Sequence, residues 1–223
     1  WMICSMLFLA TTVNYLDRQV LSLTWKDFIV PEFHWSNTDY GNITAIFSIT
    51  YALSMLVAGR FVDWLGTKKG YLWAIGIWSI GACLHAFSGI AASGWLTGQW
   101  LVNFKGAKVV LENIADAGQV TQISVTVFVF ARMVLALGEA GNFPAAIKAT
   151  AEYFPKKDRG FATSIFNAGA TVGAMVALFA MHSVAIPLTG SWRGAMLLYA
   201  VGTLSTGVVW WFVSAGSAPN SFG

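Results

Sequence analysis

Phe128-Val-Phe-Ala-Arg132-Met-Val-Leu-Ala-Leu-Gly-Glu139-Ala-Gly-Asn-Phe-Pro144 is an apolar run that carries one arginine and one glutamate, seven residues apart. At about 100° and 1.5 Å per residue, seven steps of α-helix bring Glu139 back to within roughly 20° of Arg132, about 10 Å further along the axis. The two side chains share a face. Val, Leu, Phe, Met and Ala surround them, so the helix reads as membrane-spanning, and an ionisable residue inside such a span is costly enough to mark a functional site by default. The competing reading is a helix-stabilising or interfacial pair. Against it, both residues lie too far inside the run to reach the headgroups by snorkelling.

The composition agrees with a membrane protein. Of 223 residues, 57% are hydrophobic and 10% charged, with 11 Trp and 16 Phe, whereas an ordinary soluble domain is about 25% charged. A net charge of +3 is too small to argue for a nucleic-acid partner, and no basic tract interleaved with aromatics is present. Cys4 and Cys83 fall in apolar segments and read as buried free thiols. His34, His85 and His182 lie on different segments without metal-ligand spacing, and no Ser-His-Asp or Cys-His arrangement can be built. The sequence therefore offers no catalytic residue, no metal site and no cofactor, and does not read as an enzyme.

Working outward, a span needs about 20 residues, and six stretches supply that length: about 1–23, 41–61, 71–90, 123–146, 161–182 and 195–213. The first run is only just long enough, so a few residues are expected before Trp1. Near its far end Asn14, Asp17 and Arg18 are spaced i, i+3, i+4, one polar stripe on an apolar helix that should face a cavity; an interfacial helix end is the alternative. Residues 24–40, with Pro31 and several aromatics, read as a loop with an aromatic belt at the membrane surface. The 91–122 stretch carries Lys105, Lys108, Glu112 and Asp116 and reads as an extramembrane insertion with a short helix near 107–115. Span four should close at the helix-disturbing Asn142-Phe143-Pro144. In span five, Gly169 and Gly173 form a small-residue ladder that lets helices approach closely.

Lys and Arg set the orientation. The 2–3 and 4–5 connections hold Arg60, Lys68, Lys69, Lys148, Lys156, Lys157 and Arg159, against Lys26 and Arg193 in the other short loops. Those two connections are expected in the cytoplasm of a cell whose inner (plasma) membrane the chain crosses, both ends cytoplasmic and the insertion outside.

The turn Gly59-Arg60-Phe-Val-Asp63-Trp-Leu-Gly66-Thr-Lys68-Lys69-Gly70 resembles the Gly-x-x-x-Asp-x-x-Gly-x-Lys/Arg-x-Gly signature between helices 2 and 3 of the major facilitator superfamily. NYLDRQVLS in helix 1 and RMVLALGEAGNFPAAIKATAEYFPKKDRGFATSIFNAG across helices 4 and 5 are similar to the anion:cation symporter family, closest to its bacterial hexuronate and galactonate transporters. The resemblance covers nearly the whole chain except the insertion. It implies an all-α integral membrane fold, a six-transmembrane-helix bundle forming the N-terminal half of a major facilitator fold as two inverted three-helix repeats, with a C-terminal six-helix half absent as a partner. It also implies a role for each matching residue. Asp17 and Glu139 stand where the proton is handled; Arg18 and Arg132 stand where arginines hold the substrate carboxylate or switch the acidic pair; Tyr15 and Asn167 stand near the sugar acid. Gly59, Arg60, Asp63, Gly66, Lys68 and Gly70 form the conformational motif, with Asp63 expected at a helix N-terminus or against a neighbouring arginine.

Physical chemistry leads to a similar mechanism. Burial disfavours a charged carboxylate and a nearby arginine favours it, so an acid and a guanidinium in one cavity form a protonation switch that an anionic substrate can throw. The expected function is proton-coupled symport of an organic anion such as a hexuronate or aldonate, with protons, the anion and membrane lipid as partners and no nucleic acid. Transport of another carboxylate, or a non-transporting membrane sensor on the same fold, are the alternatives.

Overall fold

The computed structural model describes residues 1–216, and every regular element among them is helical. In chain order the helices are α1 (Met2–Thr24), α2 (Val30–Phe33), α3 (Asn37–Leu65), α4 (Thr67–Ala86), α5 (Ser88–Thr97), α6 (Phe104–Glu112), α7 (Ala117–Glu139), α8 (Asn142–Tyr153), α9 (Arg159–Phe179), α10 (Ile186–Thr189) and α11 (Trp192–Gly216). The end of the chain expected in the cytoplasm lies, from residue 217 on, outside the described residues.

The bundle has an apolar outer surface as well as an apolar core. Side chains such as Leu56 and Phe212 are 76% and 69% exposed, while the central polar residues are buried, as lipid demands. Helices α3, α7 with α8, α9 with α10, and α11 are long and apolar enough to cross a membrane, and α4 with α5, bent by 56°, makes a fifth span. Met2–Thr24 matches them in length but not in apolarity, because Asn14, Asp17 and Arg18 interrupt it. It is the sixth helix of the bundle.

The packing shows the internal repeat. α1 lies along α9 as α7 lies along α3; α4 packs on α7 as α11 packs on α1; and α4 meets α11 at the centre. Exchanging the first three long helices for the last three maps this set of contacts onto itself, as two inverted three-helix repeats require. Glycines permit the close crossings. A Cβ on Gly81 would lie 2.5 Å from the Leu135 nitrogen, one on Gly138 would strike the Trp78 backbone, and one on Gly169 would lie 2.6 Å from the Phe8 carbonyl. The ladder in span five is thus a packing face against α1.

Several local expectations change. The aromatics after α1 form no surface belt: Trp25, Phe33 and Trp35 are 7%, 0% and 4% exposed and pack into one core cluster with Phe128 and Trp192, and the expected loop is helical as far as Phe33, because α1 runs on through a π-helical turn at Trp25–Ile29 into α2. Pro144 does not end its helix. α7 stops at Glu139, and Pro144 falls in the first turn of α8, where a backbone N–H would have no intrahelical acceptor and its loss is harmless. In the 91–122 stretch, α5 continues the third span past its bend, Asn103 caps α6 through the Gly106 N–H at 2.7 Å, and Asp116 starts α7 at residue 117 by accepting from Gly118 and Gln119.

Candidate transport site

Halfway along the bundle, α1 and α7 bring four ionisable side chains together. The Arg18 Nε–H donates to Glu139 Oε2 at 2.7 Å, with the glutamate fully buried and the arginine side chain 21% exposed. One residue back on α1, Asp17 is 7% exposed and accepts from the Trp78 indole N–H of α4 at 2.6 Å. Arg132 is 5% exposed. Two acids and two guanidinium groups make the cluster neutral, which is how such charges are tolerated at membrane depth.

α3, with Tyr15 of α1, supplies an aromatic floor. The Arg18 guanidinium carbon lies 4.3 Å from the centre of the Tyr51 ring, 5.1 Å from that of Tyr15 and 5.9 Å from that of Phe47, and the Arg132 guanidinium sits 5.3 Å over Phe47. These faces stabilise the cations without fixing a hydrogen-bond direction. Between the arginines opens a pocket of about 70 Å³ lined by Arg18, Arg132, Tyr40, Thr44, Phe47 and Ser22. Arg18 Nη2, Arg132 Nε and Glu139 Oε1 are buried with no hydrogen-bond partner among the described residues, as are both amide atoms of Asn14. Buried donors without partners are costly, and here two guanidinium groups face one pocket, an arrangement that a planar anion can satisfy.

Of the residues singled out in the sequence, Tyr15, Asp17, Arg18, Arg132 and Glu139 therefore come together. Glu139 bonds Arg18 from the other repeat, although Arg132 shares its own helix face. Asn167 lies exposed on α9, and among the described residues no hydrogen bond ties it to the cluster. Trp78, Phe47 and Tyr51 carried no signal in the sequence, since an aromatic within an apolar run reads as ordinary core.

The turn between α3 and α4 forms a second, separate group. Asp63 lies near the C-terminus of α3 and pairs with Lys148 of α8 at 2.9 Å, Lys148 also donating to the Val62 carbonyl at 3.4 Å. Neither a helix N-terminus nor an arginine holds this carboxylate, because α8 presents Lys148 across the turn. Gly66 has φ +77, a conformation that side chains other than glycine rarely adopt, and Gly70 packs so closely on Val62 that a Cβ would lie 3.0 Å from its Cα. Lys68 lies 4.1 Å over the Trp211 ring, and Trp210 donates to the Lys68 carbonyl at 3.2 Å. Gly59 is half-buried and Arg60 exposed.

The family model of the Major Facilitator Superfamily matches residues 7–221. The chain is 29% identical over 211 residues to the hexuronate transporter of Escherichia coli (strain K12), covering 89% of this chain and 41% of that protein. It is 26% identical over 210 residues to the galacturonate transporter of Dickeya chrysanthemi, covering 94% and 50%. Among solved structures, a bacterial homologue of the human lysosomal transporter Spinster, inward-facing and occupied, superposes with a TM-score of 0.70 over 99% of this chain and 45% of its own, at 20% identity, a likeness of fold. The chain spans half or less of the length of these relatives. With a family model over nearly its whole length and a bundle of two inverted three-helix repeats, the chain is an integral multi-pass membrane protein belonging to the Major Facilitator Superfamily.

Proposed function

We propose that this chain forms half of a secondary transporter that carries a sugar-acid anion, such as a hexuronate or aldonate, together with a proton. The observation that carries the reading is the Arg18–Glu139 pair, bonded at 2.7 Å across the two repeats beside a pocket onto which a second guanidinium opens. A substrate carboxylate entering that pocket competes with Glu139 for Arg18, because a guanidinium fork takes a carboxylate in two places. A carboxylate that loses its cationic partner in a low-dielectric site takes a proton more readily. Anion and proton then cross together, and the loaded cluster stays close to neutral. Tyr15 and Asn167 are assigned to the sugar hydroxyls, Asp17 to the proton path, and the Asp63–Lys148 pair to holding one conformation of the helix 2–3 turn. Sequence similarity to the hexuronate and galacturonate transporters supports the substrate class.

In this reading both chain ends are cytoplasmic, the membrane is the inner (plasma) membrane, the insertion faces outward, and a second six-helix half completes the cavity. The test is uptake of labelled galacturonate into proteoliposomes holding the intact protein. An inward proton gradient should drive accumulation and a protonophore should abolish it. Accumulation indifferent to the gradient would contradict proton coupling.

A further inference from the structure

α6 belongs to the insertion that the sequence resemblance leaves out, and it takes no part in the mechanism above. Ala107 and Leu111, one turn apart, are 0% and 2% exposed and hold it to the bundle, and the Phe104 ring meets Phe87 at 5.5 Å. Lys105, Lys108 and Glu112, spaced i, i+3 and i+7, share the other face. That face borders a cavity of about 780 Å³ whose remaining walls come from residues 27–32 and 189–193; small-ligand sites occupy roughly 300–1,000 Å³. The cavity is separate from the central cluster. Among the described residues none borders both, and Phe128 stands between them, its ring 6.2 Å from that of Trp192 in the cavity wall and 5.4 Å from that of His85, which neighbours Asp17 and Arg132.

The lining is chemically mixed. Glu32 and Arg193 are bound to each other, each side chain 4% exposed, and Arg193 Nε is buried with no hydrogen-bond partner among the described residues. Lys108 and Glu112 are half-exposed and 3.7 Å apart, a screened pair that either partner can leave. Asp27 lies 4.0 Å from His182, and Lys105 has no acidic partner among the described residues. The half-buried rings of Phe28 and Phe104 add apolar surface. An inorganic anion would use the lysines and leave the acids and rings without a role. A sugar acid uses all three: its carboxylate takes the ammonium groups, its hydroxyls donate to carboxylates that can only accept, and its C–H face rests on an aromatic ring. We infer that this cavity is a second binding site for a sugar-acid anion, held through its carboxylate by Lys105 and Lys108 and through its hydroxyls by Asp27 and Glu112. The ligand class rests on the transport reading above, and the experiment separates the two.

Equilibrium dialysis of labelled galacturonate against the intact protein in detergent tests it, with wild type, Lys105→Gln combined with Lys108→Gln, and Arg18→Lys side by side. Wild type should bind two molecules. Both lysines are exposed, so the double change leaves the core intact; it should weaken one site on the order of tenfold or more, the loss of charge-assisted hydrogen bonds, and leave the other as it was. Arg18→Lys should do the reverse. Galactose, which has the hydroxyls without the carboxylate, and sulfate, which has the charge without the hydroxyls, should each compete poorly at the site the lysines hold. A single site indifferent to the lysine changes overturns the inference and leaves the transport reading standing. A single site lost with the lysines and indifferent to Arg18→Lys keeps the inference and removes the central pocket as a binding site. Sulfate competing as strongly as unlabelled galacturonate marks a general attraction of anions to α6 and overturns the inference; no binding by wild type overturns both.

Discussion

Glu32 and Arg193 form a buried ion pair with each side chain 4% exposed; the Trp192 indole N–H donates to Glu32 at 3.2 Å, and Gly89 gives the guanidinium space that a Cβ would fill, 2.5 Å from Nη2. Arg18 and Glu139 form the other buried pair, but there the arginine is 21% exposed, rests on aromatic faces, and has a second acid and a second arginine beside it. The first pair borders a cavity of about 780 Å³ lined also by Asp27, Lys105, Lys108 and Glu112, yet both its side chains stay 4% exposed and the guanidinium rests 4.7 Å over the Trp192 ring; it ties the segment after α1 to the start of α11. The second has alternatives within reach, and a carboxylate brought in from outside adds another. Burial alone does not separate a structural ion pair from a working one. What separates these two is how much of the arginine is left exposed, 21% against 4%, and which side chains pack directly beside it.

The difference can be broken at either end. Arg193→Ala strands Glu32 in the interior and should lower the stability of the intact protein by about 3–5 kcal/mol, the usual result of removing one partner of a buried pair. A thermal unfolding scan in detergent would show it, and Glu32→Gln with Arg193→Met should recover most of the loss because no charge is then left unpaired. Arg18→Lys keeps the charge of the working pair but not the planar fork, so substrate binding should weaken by roughly 1–3 kcal/mol, one charge-assisted hydrogen bond, with unfolding nearly unchanged; calorimetric titration with galacturonate measures it. The smallest effect belongs to Asp63→Asn. Asp63 is 71% exposed, so its pair with Lys148 contributes no more than about 1 kcal/mol to stability. Transport should slow while equilibrium binding is largely retained, and loss of binding in a folded protein would remove Asp63 from a conformational role.

Much of this was legible in the sequence, and for identifiable reasons. Arg132 and Glu139 stand out because lipid-facing sequence excludes charge, and the Gly169 to Gly173 spacing reads as a helix crossing because backbones touch only where side chains are absent. The α-helical period placed Asn14, Asp17 and Arg18 on one stripe. What helical periodicity cannot supply is which helix faces which. Glu139 pairs with Arg18, 121 residues away, and Trp78 reaches Asp17 from a third helix, contacts that only tertiary packing creates. Glu32 and Arg193 look like loop charges in the sequence because their partners and the surrounding aromatics come from distant segments. The aromatics after α1 look like a membrane-surface belt for the same reason, since the π-helical turn that joins α1 to α2 breaks the 3.6-residue period.

Glu139→Gln tests the central assignment most directly, because the amide imitates a permanently protonated carboxyl while keeping its shape. In proteoliposomes of the intact protein, counterflow of labelled against unlabelled galacturonate needs no net proton movement and should survive, whereas accumulation driven by a proton gradient should fail. Gradient-driven accumulation by Glu139→Gln at the wild-type level would contradict the account and take Glu139 out of the proton pathway.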